Sequence, residues 1–259
     1  MHYLSVIRFT GYPARAGFVL GFMVCLFFCN PSFAQTDAVN PYPVKYKPDN
    51  KNSACVECLC ICLQASLDFA NLSETYVTPG VPGTGTPYKA KVGFNLGAFA
   101  SKSILSLGPG QLAAKGGLEY MQKGGKYSDN PVTETIGLNY IELPIDVLYQ
   151  YAIMDNGIVF GGLGPYFAYG VGGKDKYNDG NTSATTSSFG GGSGGDGYKR
   201  FDFGLQFTAG YRISCMASLS LAYEIGFLNL ANNSNNGGYG TYDDKNKVFS
   251  INLAYCIGR

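Results

Sequence analysis

The chain has 259 residues, of which 14% are charged, with 36 Gly, 20 Tyr, 17 Phe and no Trp. That profile is too apolar for a disordered chain and too rich in Gly and Tyr for a helical one. Past the N-terminus no run is long and apolar enough to span a bilayer as a helix. With 19 basic against 18 acidic residues there is no charge excess to recruit nucleic acid, and no nucleic-acid partner is expected.

The first 34 residues read as a secretory signal peptide. Arg8 and Arg15 make a positive start, Gly17 to Cys29 form an apolar core too short for a membrane anchor, and Ser32-Phe33-Ala34 offers small residues where a signal peptidase reads. Cleavage is expected after Ala34. Removing Arg8 and Arg15 from the 19 basic residues leaves 17 against 18 acidic ones, and His2, the only His, leaves with them. A mature chain without His builds no Ser-His-Asp or Cys-His machinery and no His-ligated metal site. The expectation is therefore a protein that is not an enzyme, with no catalytic residues, no cofactor and no metal.

Residues 35–57 are polar and carry Pro41, Pro43 and Pro48, which reads as a flexible periplasmic tail. From residue 58 to 259 a period of two takes over. Strands are expected at roughly 58–71, 91–101, 112–123, 138–152, 157–171, 200–213, 217–230 and 247–257, most of them long for a soluble protein and suited to a tilted crossing of a bilayer. In the last of these, Phe249, Ile251, Leu253, Tyr255 and Ile257 face one way and Val248, Ser250, Asn252, Ala254 and Cys256 the other. Between Tyr140 and Tyr151 the large apolar residues Ile141, Leu143, Ile145, Val147 and Tyr149 oppose Glu142, Pro144, Asp146 and Gln150.

Long polar connections (Ser73–Ala90, Gly124–Gly137, Gly172–Lys199, Ala231–Asn246) alternate with short ones at Lys102–Gln111, Met154–Asn156 and Ser214–Met216. Long loops outside and short turns in the periplasm are the habit of outer-membrane barrels, and both regularities agree if both termini are periplasmic. The fold expected is all-β: an eight-stranded antiparallel up-and-down transmembrane barrel in a Gram-negative outer membrane, with lipid as its first partner. A soluble lipocalin-like barrel would invert the faces, with apolar side chains inside. Here the small, Gly-rich and charged face belongs in the narrow lumen, and Tyr140, Tyr149, Tyr151, Tyr211, Tyr223 and Tyr255 are expected at the membrane interfaces.

The lumen face carries Asp68, Lys115, Glu119, Lys123, Glu142, Asp146, Asp202, Arg212 and Glu224. Buried charges must be paired, so a salt-bridge network filling the barrel is expected ahead of an ion path or an acid–base pair. Six cysteines follow the signal peptide: Cys55, Cys58, Cys60, Cys62, Cys215 and Cys256. Cys58, Cys60 and Cys62 share the lumen face at the start of the first strand, and Cys256 has that face at the end of the last. A disulfide from Cys256 to Cys58 or Cys60 across the closing seam fits strand spacing; packed thiols and a thiolate metal site are the alternatives. The Gly190–Gly197 run lacks the Lys-Ser/Thr of a phosphate loop and reads as a mobile external segment, as does Asn232–Gly240; Tyr239 within it and Tyr242 just after it are candidates for adhesive contacts.

The blocks Tyr140-Ile-Glu-Leu-Pro-Ile-Asp146, Gly162-Leu-Gly-Pro-Tyr166, Phe201-Asp-Phe-Gly204 and Gly210-Tyr-Arg212 resemble those of PorT-like outer-membrane β-barrel proteins. The resemblance implies an eight-stranded barrel of the OmpA/OmpX type and a link to protein secretion, with other envelope or secretion proteins as partners. Such barrels usually finish on an aromatic residue, whereas these last residues are Cys256-Ile-Gly-Arg259. The function expected is a small structural or interacting barrel that works through its external loops or periplasmic end. A narrow channel for small or hydrophobic solutes is the alternative, since a general porin needs about 16 strands.

Overall fold

An alternating strand has two faces that want different surroundings, and a closed sheet gives each of them one while leaving no unpaired edge. The computed structural model describes residues 59–78, 81–86, 88–153, 157–190, 197–213, 216–232 and 241–257. The proposed cleavage after Ala34, the tail at 35–57, Cys55, Cys58, Cys215 and Tyr239 lie outside these residues.

The described residues form β1 (Cys60–Thr78), β2 (Val81–Thr86), β3 (Lys91–Leu107), β4 (Gly110–Asp129), β5 (Val132–Ile153), β6 (Gly157–Asn178), β7 (Ser183–Ser187), β8 (Phe201–Ile213), β9 (Ala217–Gly226) and β10 (Thr241–Ile257). Eight of them close a ring in the order β1-β3-β4-β5-β6-β8-β9-β10, with β10 returning to β1 and every pairing antiparallel. The closing seam runs from Ile61 opposite Ile257 to Val77 opposite Thr241. The short strands β2 and β7 stand outside the ring, β2 on the end of β1 and β7 on the end of β6. We call the end where β1 starts and β10 finishes the seam end, and the opposite end, where β2 and β7 lie, the hairpin end.

The sequence-based strand centres match the ring, but their lengths do not. β4 and β5 continue as a paired ladder to Asp129 opposite Val132, so Gly124–Gly137 is a strand extension and not a loop. Part of Gly172–Lys199 is ordered likewise, with β6 running to Asn178 and β7 folding back on it. Thr, Lys, Tyr and Ser alternate there without an apolar face, so the hydrophobic period that marks the membrane segment stops while the ladder goes on. At 20 and 22 residues, β4 and β5 are about twice the ~10 residues a tilted strand needs to cross a bilayer.

Apolar side chains coat the outside: Leu253 is 63% exposed and Leu219 57%, between inward neighbours such as Asn252 and Ser218 that are buried. Five of the six interface tyrosines (Tyr149, Tyr151, Tyr211, Tyr223 and Tyr255) face outward. Tyr140 does not. It is fully buried, because it shares the even parity of Glu142 and Asp146 on β5 and so points into the lumen with them.

Glycine on the lumen face makes room for rings on neighbouring strands. A Cβ at Gly117 would strike the Phe99 ring, and one at Gly204 would meet the Tyr166 ring at 2.6 Å and the carbonyl oxygen of Ile225 closer still. Gly204→Ala should therefore cost about 1–3 kcal/mol by overpacking, read as a lower urea midpoint of the barrel in detergent micelles. Gly108, at φ 60° in the two-residue turn between β3 and β4, meets nothing, and there the requirement is conformational.

Candidate functional site: the lumen

Inward side chains divide the lumen into three zones. At its centre stands Lys123 of β4, buried completely. Its Nζ lies 2.7 Å from Glu142 Oε2 on β5, 2.8 Å from Glu224 Oε2 on β9 and 3.8 Å from Asp202 Oδ2 on β8. β4 and β9 are on opposite sides of the ring, so this one ammonium ties the facing walls together. The same Nζ sits 4.0 Å from the centroid of Tyr166 and 5.7 Å from that of Tyr140, aromatic faces that also favour a cation.

A second tier of hydrogen bonds holds the carboxylates in place. Asn246 Nδ2 (2.8 Å) and the Tyr166 hydroxyl (3.3 Å) donate to Asp202 Oδ2, and Gln206 Nε2 donates to Glu224 Oε1 at 3.2 Å. Asn95 Nδ2 donates to Asp68 Oδ1 at 3.3 Å. Glu119 pairs in register with Glu142, so two carboxylates stand side by side near the centre. One oxygen each from Glu119, Glu142 and Glu224 lies within 4.8 Å of the others. That spacing would suit a metal ion, but Lys123 already supplies a cation to two of the three.

Towards the hairpin end the lumen turns apolar. Leu72, Ile136, Leu138, Tyr140, Tyr166, Ala168 and Phe189 pack into one buried cluster, with Tyr88 and Tyr198 against it. Phe189 follows β7 and meets the Tyr140 ring edge-on at 5.5 Å. It fits because Gly170 offers no side chain; a Cβ there would enter the Phe189 ring. Arg200 donates from Nη1 to the Gly170 carbonyl at 2.7 Å and lies 5.3 Å from the same ring, which fixes the plug from outside.

Beyond this plug, outside the membrane-spanning residues, lies an acidic group. The Tyr88 hydroxyl donates to Glu134 (3.1 Å) and Glu74 (3.4 Å). Burial, with Glu74, Asp243 and Glu134 near by, pushes the Asp244 carboxyl up to about 7. Burial and the same two glutamates push the Tyr88 phenol above its ordinary range. Asp179, in the exposed turn before β7, goes the other way, because the backbone N–H groups of Thr182 and Asn181 stabilise its charged form.

At the seam end Cys62 and Cys256 are disulfide-bonded, with Cα atoms 3.8 Å apart. The expected partners were Cys58 or Cys60. The register corrects this: β10 extends to Ile257 opposite Ile61, so Cys256 lies directly across from Cys62, while Cys60 is buried next to the bridge and pairs in register with Ser101 of β3. The two cations of this end are held loosely. Lys115 Nζ is 4.0 Å from Asp146 Oδ2 and 4.1 Å from the Phe99 centroid, and the Arg212 guanidinium is 5.8 Å from the Phe160 centroid.

The structure thus brings Glu142, Asp202 and Glu224 together on Lys123. Glu119 and Asp68 lie in the same central zone, and Lys115, Asp146 and Arg212 lie nearer the seam end. Tyr140, Tyr166 and Phe189 were missed as lumen residues. For Tyr140 and Tyr166 the signal was present, since each shares parity with a lumen Glu or Gly. Phe189 lies in a Ser/Gly-rich stretch with no period, and nothing in its neighbourhood marks it as inward.

A family described as "outer membrane protein beta-barrel domain" matches residues 63–232. Among solved structures the fold is similar to Ail of Yersinia pestis, solved with the heparin analogue sucrose octasulfate (14% identity, TM-score 0.36, covering 78% of this chain and 99% of that one). It is also similar to OprG of Pseudomonas aeruginosa (14%, TM-score 0.44, 79% and 97%) and to Neisserial surface protein A (11%, TM-score 0.38, 75% and 96%). Comparison with curated proteins finds no match.

Proposed function

The chain belongs to the outer membrane protein β-barrel domain family, and we propose that within it this is a closed, non-enzymatic barrel that works through contacts at its two ends. In this reading the signal peptide is removed after Ala34, both termini and the seam end face the periplasm, and the hairpin end stands outside the cell. The observation that carries it is the filled lumen. The Lys123 clamp and the plug of Tyr140, Tyr166 and Phe189 occupy successive levels of the barrel, with those three rings and the ammonium buried. A path for solute would have to break both.

What remains available for work is surface. The paired extensions of β4 with β5 and of β6 with β7 project beyond the apolar band as ordered ladders rather than loose loops. Ordered edges offer a partner fixed backbone and side-chain positions at a lower entropic cost than a mobile loop. The resemblance of the Tyr140–Asp146 and Phe201–Gly204 blocks to PorT-like proteins supports an envelope or secretion protein as that partner.

Single-channel recording in planar bilayers tests the closed lumen. The wild-type barrel, inserted and shown to be folded, is expected to give no stepwise current under conditions in which a 16-stranded porin conducts. Regular openings would instead favour a narrow channel for small or hydrophobic solutes.

A further inference from the structure

The lumen is electrically lopsided. Its centre holds Lys123 among Glu119, Glu142, Asp202, Glu224 and Asp68, an excess of carboxylates. Its seam end holds two cations, Lys115 and Arg212; among the described residues the one carboxylate at ion-pair distance is Asp146, which reaches Lys115 at a loose 4.0 Å, with Glu119 of the central zone farther along the same strand. Arg212 is 6% exposed, its Nε has no hydrogen-bond partner, and among the described residues no carboxylate lies within ion-pair distance of it. A buried guanidinium N–H without an acceptor is costly, and no carboxylate at ion-pair distance offsets the charge.

Both cations line the same cavity. It has a volume of about 30 Å³ and is also lined by Gln64 and the hydroxyl-bearing Ser101, Ser218 and Ser220. That is room for roughly two waters, which matches a carboxylate group or one edge of a phosphate. Register explains the grouping: Ser101 pairs with Lys115 across β3 and β4, and Ser218 pairs with Arg212 across β8 and β9, so each cation has a hydroxyl beside it. Hydroxyls and amides complete the hydrogen-bonding shell of an oxyanion whose charge a guanidinium meets.

We propose that the seam end of the lumen is a binding site for a small oxyanion, a carboxylate or phosphate group, held by Arg212 and Lys115 and capped by Ser101, Ser218 and Ser220. The site is a dead end. Further along the lumen the ligand would meet the carboxylates around Lys123, which repel it, and then the aromatic plug. The arrangement therefore retains an anion that enters at this end and does not conduct it. This goes beyond the closed-barrel reading and does not depend on which end faces the periplasm.

The test is thermal unfolding of the full chain, folded in detergent micelles, during separate titrations with inorganic phosphate, acetate and, as an ionic-strength control, chloride. The wild-type midpoint should rise saturably with phosphate or acetate and not with chloride; which of the two acts at lower concentration identifies the preferred oxyanion. Arg212→Gln should have a higher midpoint than wild type in buffer without either oxyanion, since an uncompensated charge is gone, and its apparent affinity should fall about tenfold or more. Lys115→Gln should weaken the response less. A wild-type midpoint indifferent to both oxyanions, or an equal response to chloride, would overturn the proposal. So would an unchanged response in Arg212→Gln. Failure of Arg212→Gln to fold would overturn it too, by revealing that the protein itself already compensates this charge.

Discussion

Replacing Lys123 by Met should destabilise the barrel by about 3–5 kcal/mol, the expected cost of removing one partner from a buried ion cluster. The side chain that goes is the only cation within 4 Å of Glu142, Glu224 and Asp202 among the described residues, at 2.7, 2.8 and 3.8 Å. Methionine fills much the same volume, so the loss reports charge rather than a cavity. The consequence is also architectural, because Lys123 joins β4 to β5, β8 and β9 across the lumen, and without it the facing walls repel. The measurement is the urea midpoint in micelles. Combining Lys123→Met with Glu142→Gln and Glu224→Gln should recover most of the loss, since the unpaired charges go with their partner. A single mutant within about 1 kcal/mol of wild type would mean that the cluster does not hold the barrel together.

Breaking the Cys62–Cys256 bridge should be comparably costly. The two residues are 194 apart in sequence, so the bond closes nearly the whole barrel into one loop of the unfolded chain. Chain entropy for a loop of that length corresponds to about 5 kcal/mol of stabilisation. Cys62→Ser should therefore lower the free energy of unfolding by about 4–5 kcal/mol, and reductant should do the same to wild type but nothing further to the mutant. The native ring should survive in both cases, because β1 and β10 remain paired along the entire seam from Ile61 to Val77. Cys60→Ser, by contrast, leaves the bridge intact and should change stability far less. A large loss through Cys60→Ser together with a small one through Cys62→Ser would instead place the bond at Cys60.

These two effects differ in how far the sequence foretold them. Strand number, faces and the ring follow from alternation alone, because every second side chain of β8, β9 and β10 changes from large and apolar to small or polar. The same parity marks the charged residues as inward. It does not say which of them meet, since contact across a lumen depends on the stagger between strands that are not neighbours. Lys123 reaching Glu224 on the far wall is such a contact. Register likewise decided between Cys60 and Cys62, two residues identical in face and differing only by one step along the seam. Tyr140 was a different kind of miss: its parity put it inside, while its chemistry suggested an interface, and parity won. The strand extensions beyond the membrane escaped notice because a ladder in water has no apolar face to give it away, and Phe189 because a single ring in a polar loop has no period at all.

The most direct test of a closed outer-membrane barrel with a covalent seam is gel mobility of the outer-membrane fraction, unboiled against boiled, each with and without reductant. The structure predicts a compact, fast-running unboiled band that slows on boiling whether or not reductant is present. Reductant should slow the boiled band further, because only then does the 62–256 loop open. An unboiled band that already runs with the boiled one would contradict the closed barrel, and boiled bands indifferent to reductant would contradict the seam bond.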